Sequence, residues 1–228
     1  MKLRRIFACG MAIISLFCTT AFAAGPSSEM SAEAKQMERV NAAQSIAYLD
    51  IDEATPAMQA RILEARDVII NNTSWVADGY TAVVHKANGT SYEVPKFTEL
   101  FPGWDMPMES IDFTSANSGL VAMASEGRVS HPNVELKNPS ATVDSEPFYY
   151  FTMSETLITR VDELIISETC NLGYTNMQTH QSVAKLTYME PGDSIEVNTV
   201  PGHASDNVAV RASTFSSPGL GNFSSEWW

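Results

Sequence analysis

Apolar positions recur at helical spacing near the start of the chain and at alternate positions toward its end. Val40, Ala43, Ile46 and Ala47 lie on one side of a segment that Ser31 can cap and that runs to about Leu49. A second helix is expected after Thr55 as N-cap, with Pro56 at the first helical position, where its missing N–H is not needed. Met58, Ile62, Ala65 and Ile69 form its apolar stripe, and Asn71-Asn72 ends it. Both stripes are narrow, so the two helices need a surface to pack on.

That surface is expected in residues 74–97, "SWVADGYTAVVHKANGTSYEVPKF". Asn88-Gly89 signals a two-residue hairpin loop, because a type I′ turn needs φ > 0 at both central positions. Folding the chain there sets Ala87 opposite Thr90, His85 opposite Tyr92 and Val83 opposite Val94. One face then carries Val83, His85, Tyr92 and Val94; the other carries Tyr80, Ala82, Val84 and Lys86. Residues 97–110 leave through an aromatic loop, with Phe97, Leu100, Phe101 and Trp104 around the Pro102-Gly103 turn. Helices and hairpin together form an expected subdomain over residues 31–110, and residues 111–130 read as a linker-like segment around a short apolar piece.

Residues 131–228 have the texture of β structure. "PFYYFTM", "ITRVDELIIS", "SVAKLTYM", "DSIEVN" and "NVAVRASTF" are short runs rich in β-branched and aromatic residues. Asn171, Gly173, Pro191-Gly192-Asp193 and Pro201-Gly202 read as turns between them. "SETCNLGYTNMQTHQS" reads as a strand end, a turn and a return strand, and the tail "FSSPGLGNFSSEWW" as turn-rich. The expected fold class is α+β: two N-terminal helices packed on a β-hairpin, followed by an antiparallel β-sandwich-like region. That second half is similar in texture to the generic β-sandwich modules of exported bacterial proteins, with no motif matched residue by residue.

The first residues bear on where such a fold works. Lys2, Arg4 and Arg5 precede an apolar run over residues 6–17, and Ala21-Phe22-Ala23 supplies the small residues a signal peptidase accepts. The run is too short to span a bilayer, which takes ~20 apolar residues. Residues 1–23 are therefore expected to be a cleaved secretory signal and residues 24–30 a flexible leader, leaving a secreted or extracytoplasmic protein. Lipid anchoring at Cys18 is the rival reading. Phe17 stands where a lipobox places a small residue, and Cys9, which does follow Ala8, lies inside the apolar run.

Export would leave Cys170 as the one thiol, so the fold is expected to rest on its core without an internal disulfide. Losing Lys2, Arg4 and Arg5 takes the formal net charge from −13 to −16. A surface that acidic repels phosphate backbones and anionic headgroups, so nucleic acid and peripheral membrane binding are both disfavoured, and no later apolar run is long enough for the mature chain to insert in a membrane. The partner left open is a ligand such as a glycan or a peptide; oligomeric state is not readable.

Candidate chemistry is sparse. His85, His131, His180 and His203 show no metal-ligand spacing, and no cofactor motif is present, so neither a metal nor a cofactor is expected. Asp50, Asp52 and Glu53 lack the glycine and spaced oxygens of a calcium loop. Ser182 and Lys185 form an S-x-x-K pattern inside an expected strand, and Gly219-Leu220-Gly221 lacks the following helix of a phosphate loop. Cys170 with His180 is the one thiol–imidazole pair open to a secreted hydrolase, against the plainer role of a buried thiol at a strand end. Trp75, Tyr80, Phe101 and Trp104 are candidate ligand-binding residues, as a platform for stacking sugars or peptides. The competing role for Trp75 and Trp104 is to plug the join between helices and sheet. The expected function is that of an exported, non-catalytic binding or cell-envelope-associated protein.

The secretory pattern makes a direct prediction. N-terminal sequencing of the exported protein should begin at Ala24; a lipid-modified N-terminus at Cys18 would contradict both the cleavage site and the unanchored state.

Overall fold

The computed structural model describes residues 32–108, 126–137, 149–152, 156–199, 207–215 and 218–228. The expected secretory signal and leader, Ser31, most of the expected linker-like segment, the expected Pro201-Gly202 turn and His203 lie outside the described residues. Helix α1 spans Ala32–Ala47 and α2 spans Pro56–Asn71. Their buried positions follow the apolar stripes: Ala43 and Ala47 on α1, and Ile62, Ala65, Ile69 and Ile70 on α2. Pro56 opens α2 as expected, while Thr55 takes the cap position with its backbone and makes no side-chain cap bond. At the far end, the Asn72 side chain donates to the Val68 carbonyl at 2.7 Å and accepts from Gln36 of α1 at 2.9 Å. One amide thus closes the second helix and ties it to the first.

The strands form two antiparallel sheets. The first uses β1 (Trp75–Val76), β5 (Tyr149–Thr152), β7 (Cys170–Asn176), β8 (Ser182–Met189) and β10 (Asn207–Ser213), in the order β1-β8-β7-β10-β5. The second uses β2 (Tyr80–His85), β3 (Ser91–Glu93), β4 (Gly127–Leu136), β6 (Thr156–Ile165), β9 (Ser194–Thr199) and β11 (Gly219–Trp227), in the order β3-β2-β9-β6-β11-β4. A short helix α3 (Phe97–Leu100) follows β3. With helices and antiparallel sheets in one chain, the class is α+β.

The sheets draw on both expected subdomains. β1 pairs with β8, and β2 pairs with β9 from Tyr80↔Thr199 to His85↔Ser194. Val76, Ala82, Val84 and Val94 share one apolar cluster with Leu172, Leu186, Ile195 and Phe223, so the hairpin and the later strands have a common core. Of the expected linker-like segment, Gly127–Ser130 belong to β4.

The hairpin register differs from the expected one by one residue. The pairs are Val83↔Glu93, Val84↔Tyr92 and His85↔Ser91. Lys86 N–H donates to the Thr90 carbonyl at 2.8 Å, and Gly89 N–H to the Lys86 carbonyl at 2.9 Å, with Gly89 at φ 85°. The loop is thus three residues long, a turn closed by a glycine in the left-handed region, and needs positive φ only there. Because side chains alternate, the shift puts Tyr92 opposite Val84 and not His85, whose imidazole lies 3.6 Å from Glu196 of the neighbouring β9. Tyr80, Ala82 and Val84 face the core, and Val83 is half-buried.

Three further strands differ from the sequence reading. β7 runs straight through Asn171 and Gly173, and the chain turns only after Asn176. β4 and β11 occupy stretches read as loop and turn-rich tail. Glycine misled the reading in β11. Gly221 alternates inward with Phe223, Ser225 and Trp227, and a Cβ on Gly221 would come within 2.7 Å of the Phe223 ring. Gly127 lies likewise beneath the Trp227 ring. These glycines are strand positions over which an aromatic ring lies against the backbone.

Asp193, with no exposed surface, fastens the hairpin loop to the turn between β8 and β9. Its carboxylate accepts from Lys86 Nζ at 2.5 Å, from Ala87 N–H at 3.0 Å and from Glu190 N–H at 2.8 Å. Its own carbonyl accepts from Val161 N–H at 2.9 Å, which brings β6 into the same node. Gly192, at φ 89°, lets the two loops close; a Cβ there would stand 2.9 Å from that of Ala87. Burial pulls the Lys86 ammonium toward neutrality, but the Asp193 hydrogen bond and charge, with Glu190, outweigh it and raise the amine's pKa overall.

The face that β2 buries can be tested by a pair of truncations. Val84→Ala should cost about 2–3 kcal/mol of unfolding free energy in urea titration, and Val83→Ala under about 1 kcal/mol; the reverse order would put Val83, not Val84, on the buried face. A second test uses pH. Burial in edge strand β4 lowers the His131 pKa from 6.5 to about 4. The unfolded chain therefore takes up this proton first, and stability falls as pH drops through 6.5 and levels off near 4. The loss from this group is on the order of 1–3 kcal/mol. His131→Leu should flatten that part of the stability–pH profile; an unchanged slope would show that another group controls it.

Candidate functional site

Three of the four aromatic candidates converge. Trp75 ends the connection from α2, and its indole Nε1 donates to the Ile70 carbonyl at 3.2 Å. The Phe97 ring meets it edge-on, with centroids 5.0 Å apart and planes at 74°. Phe101 follows one turn later, 5.0 Å from Phe97, and Trp104 stacks on Phe101 at 5.0 Å with planes 15° apart. Tyr48, just past the end of α1, approaches Trp104 at 5.1 Å, and the Arg66 guanidinium of α2 lies over the same ring at 5.0 Å. A column of five rings therefore runs from the buried end of α2 out to the surface.

The column is graded in exposure. Trp75, Phe97 and Phe101 are 1%, 1% and 3% exposed, Trp104 is half-buried, and Tyr48 is 61% exposed. Trp75, Phe97 and Phe101 share an apolar cluster with Ala43, Ala47, Ala65, Ile69 and Ile70, so the inner rings join the helices to the rest of the fold. The helices thus pack on the residues flanking the hairpin. Arg66 is steered by its Nε, which donates to the Ala47 carbonyl at the end of α1 at 3.0 Å. An aromatic face beside a guanidinium can stack on a ligand and donate hydrogen bonds to it. Sequence reasoning named Trp75, Phe101 and Trp104 but missed Tyr48 and Arg66, whose approach to Trp104 depends on how α1 and α2 pair.

Tyr80, the fourth candidate, lies elsewhere. It is 4% exposed on the inner face of β2, and the Asn176 amide approaches its hydroxyl at 3.5 Å. The Lys96 ammonium donates to its backbone carbonyl.

The thiol–imidazole pair does not assemble. Cys170 opens β7 and His180 lies beyond its other end, where His180 N–H donates to the Asn176 carbonyl at 2.8 Å. Six residues of extended chain separate Cys170 from Asn176, roughly 20 Å. Cys170 is 1% exposed, and burial, helped by the Asp193 charge, pushes its thiol up to about 12. A nucleophilic thiolate is therefore disfavoured there. Ser182 and Lys185, three apart on β8, are separated by an irregularity in the β7–β8 ladder, and each has another partner: the Ser182 N–H donates to the Pro107 carbonyl at 3.1 Å and the Lys185 ammonium to Asn71 at 2.6 Å.

Polar groups from both sheets are also buried. Thr159 and Ser225 are cross-strand partners on the inner face of β6 and β11, both without exposed surface. Tyr174 of β7 is buried beside Thr159, and burial raises its phenol pKa. Such a cluster has no solvent face through which a substrate could enter.

Among the described residues, no group of three His, Cys, Asp or Glu side chains is arranged to hold a metal ion, and no helix is long and apolar enough to cross a membrane. Compared with protein-family models, with curated proteins and with solved structures, the chain finds no match.

Proposed function

We propose that this chain works outside the cytoplasm, after cleavage of residues 1–23, as a non-catalytic binding or cell-envelope-associated module. In this reading the two sheets face each other as a sandwich-like scaffold, and the helix pair with its aromatic column is the recognition face. The observation that carries the reading is the outer end of that column: the exposed Tyr48 ring beside Trp104, with Arg66 over the indole. Trp75 and Phe101 support the platform from below, and Trp104 forms its floor. A sugar ring or a peptide side chain suits such a surface, stacking on the phenol while the guanidinium donates to hydroxyl or carbonyl oxygens. The acidic balance of the chain favours neutral or cationic ligands over anionic ones.

Binding and folding should separate by position along the column. Tyr48→Ala should leave stability within about 0.5 kcal/mol, as surface truncations usually do. It should also remove retention of the protein on isolated cell walls and on glycan or peptide arrays. Trp75→Ala should lower the melting temperature sharply, by the equivalent of about 3–5 kcal/mol, because it empties a buried site. Retention unaffected by both Tyr48→Ala and Arg66→Ala would overturn the assignment of this face.

A further inference from the structure

The hairpin loop that fastens to Asp193 contains Asn88-Gly89, the one Asn-Gly step in the 228 residues. Both residues are exposed, and a Cβ at Gly89 would meet nothing within 4 Å, so the loop tip is open to solvent. The Asn88 side-chain oxygen accepts twice from Thr90, from its N–H at 2.9 Å and from its hydroxyl at 2.7 Å. Two donors on one carbonyl oxygen draw charge from Cγ and would stabilise an oxyanion formed there. Opposing this, the Gly89 N–H is engaged with the Lys86 carbonyl at 2.9 Å. The electrophile is activated, while the nucleophile is held until the loop opens.

We propose that Asn88 is a site of spontaneous covalent modification in the folded protein, and that one of its two products releases the loop from Asp193. The Gly89 nitrogen, losing its proton to solvent, attacks Asn88 Cγ; the new N–C bond forms, the Cγ–Nδ2 bond breaks and ammonia leaves. Water then opens the resulting five-membered imide. Opening on the Cγ side gives an aspartyl residue with an ordinary backbone, and opening on the other side gives an isoaspartyl residue whose backbone runs through the former side chain. The net change converts a carboxamide to a carboxylate, consumes one water, releases one ammonia and transfers no electrons.

The two products differ in what they do to the loop. The aspartyl product keeps an oxygen that can accept from Thr90, so the turn survives. The isoaspartyl product adds a methylene to the backbone between Ala87 and Gly89, and the bond from Gly89 N–H to the Lys86 carbonyl no longer closes. Lys86 and Ala87, which hold both carboxylate oxygens of Asp193, are the residues immediately before it. Gly192 is packed against Ala87 in the same place. Lengthening the loop therefore pulls on the donors of a fully buried carboxylate.

Ageing the purified full chain in neutral buffer, beside a sample unfolded in urea, tests this. Peptide mapping should find a mass gain of about 1 Da on the peptide carrying Asn88-Gly89 in the folded sample. The rate should be lower than in urea by about tenfold or more, since reaction waits on local opening of the loop. Asn88→Gln should abolish the gain, because its longer side chain must close a larger ring. The isoaspartyl-bearing fraction should melt below the Asn88→Asp variant, which reproduces the charge without the extra methylene. Conversion in urea with none in the folded sample would overturn the modification site. Equal melting of the isoaspartyl fraction and Asn88→Asp would overturn the release of the loop.

Discussion

Asp193 is a carboxylate with no exposed surface, and three parts of the chain that are far apart in sequence meet on it. An ion buried alone costs several kcal/mol in lost hydration, so this position exists only because its partners arrive together. The Lys86 ammonium supplies the countercharge, and the backbone N–H groups of Ala87 and Glu190 supply direction. The Val161 N–H, bonded to the Asp193 carbonyl, holds β6 to the same point. The hairpin β2–β3 is consequently locked to β9 at its loop end as well as through the strand ladder. The register and loop length of the hairpin are those that bring Lys86 and Ala87 to this carboxylate.

At the other end of the helix connection the join is apolar. Trp75 sits where α2 ends and β1 begins, and its one polar atom bonds to the Ile70 carbonyl. The remaining rings continue the contact outward to Tyr48, so the packing that attaches the helices also shapes the surface proposed for binding. The two attachments differ in kind. The polar node specifies one geometry, because a misplaced carboxylate loses its hydrogen bonds outright. The aromatic column tolerates small shifts, because stacking varies slowly with angle.

Much of the architecture was legible in residue spacing. Helical stripes located α1 and α2, and runs of β-branched residues located β6, β8, β9 and β10. The aromatic cluster was legible in part, since Phe97, Phe101 and Trp104 are close in sequence and Trp75 is separated from them by one hairpin. What misled was glycine and asparagine inside strands. Gly221 and Gly127 carry no turn; each lies under an aromatic ring from another position, and the sequence does not say which ring. Asn171 belongs to β7 and accepts from the Tyr188 N–H of β8 through its side chain, a use that local propensity ranks below a turn.

The sequence by itself determined what is local: where apolar side chains recur, where proline and asparagine bound a helix, and where the chain must reverse. Tertiary structure decided the rest. A hairpin loop of two or three residues satisfies the same Asn-Gly signal, and the choice between them depends on whether Lys86 and Ala87 reach Asp193, more than a hundred residues away. The separation of Cys170 from His180 was settled in the same way, by a strand that runs on through Gly173 because its neighbours β8 and β10 supply ladder partners on both sides. Periodicity reads the chain one element at a time, whereas burial of a charge or an aromatic ring depends on surfaces from several elements at once.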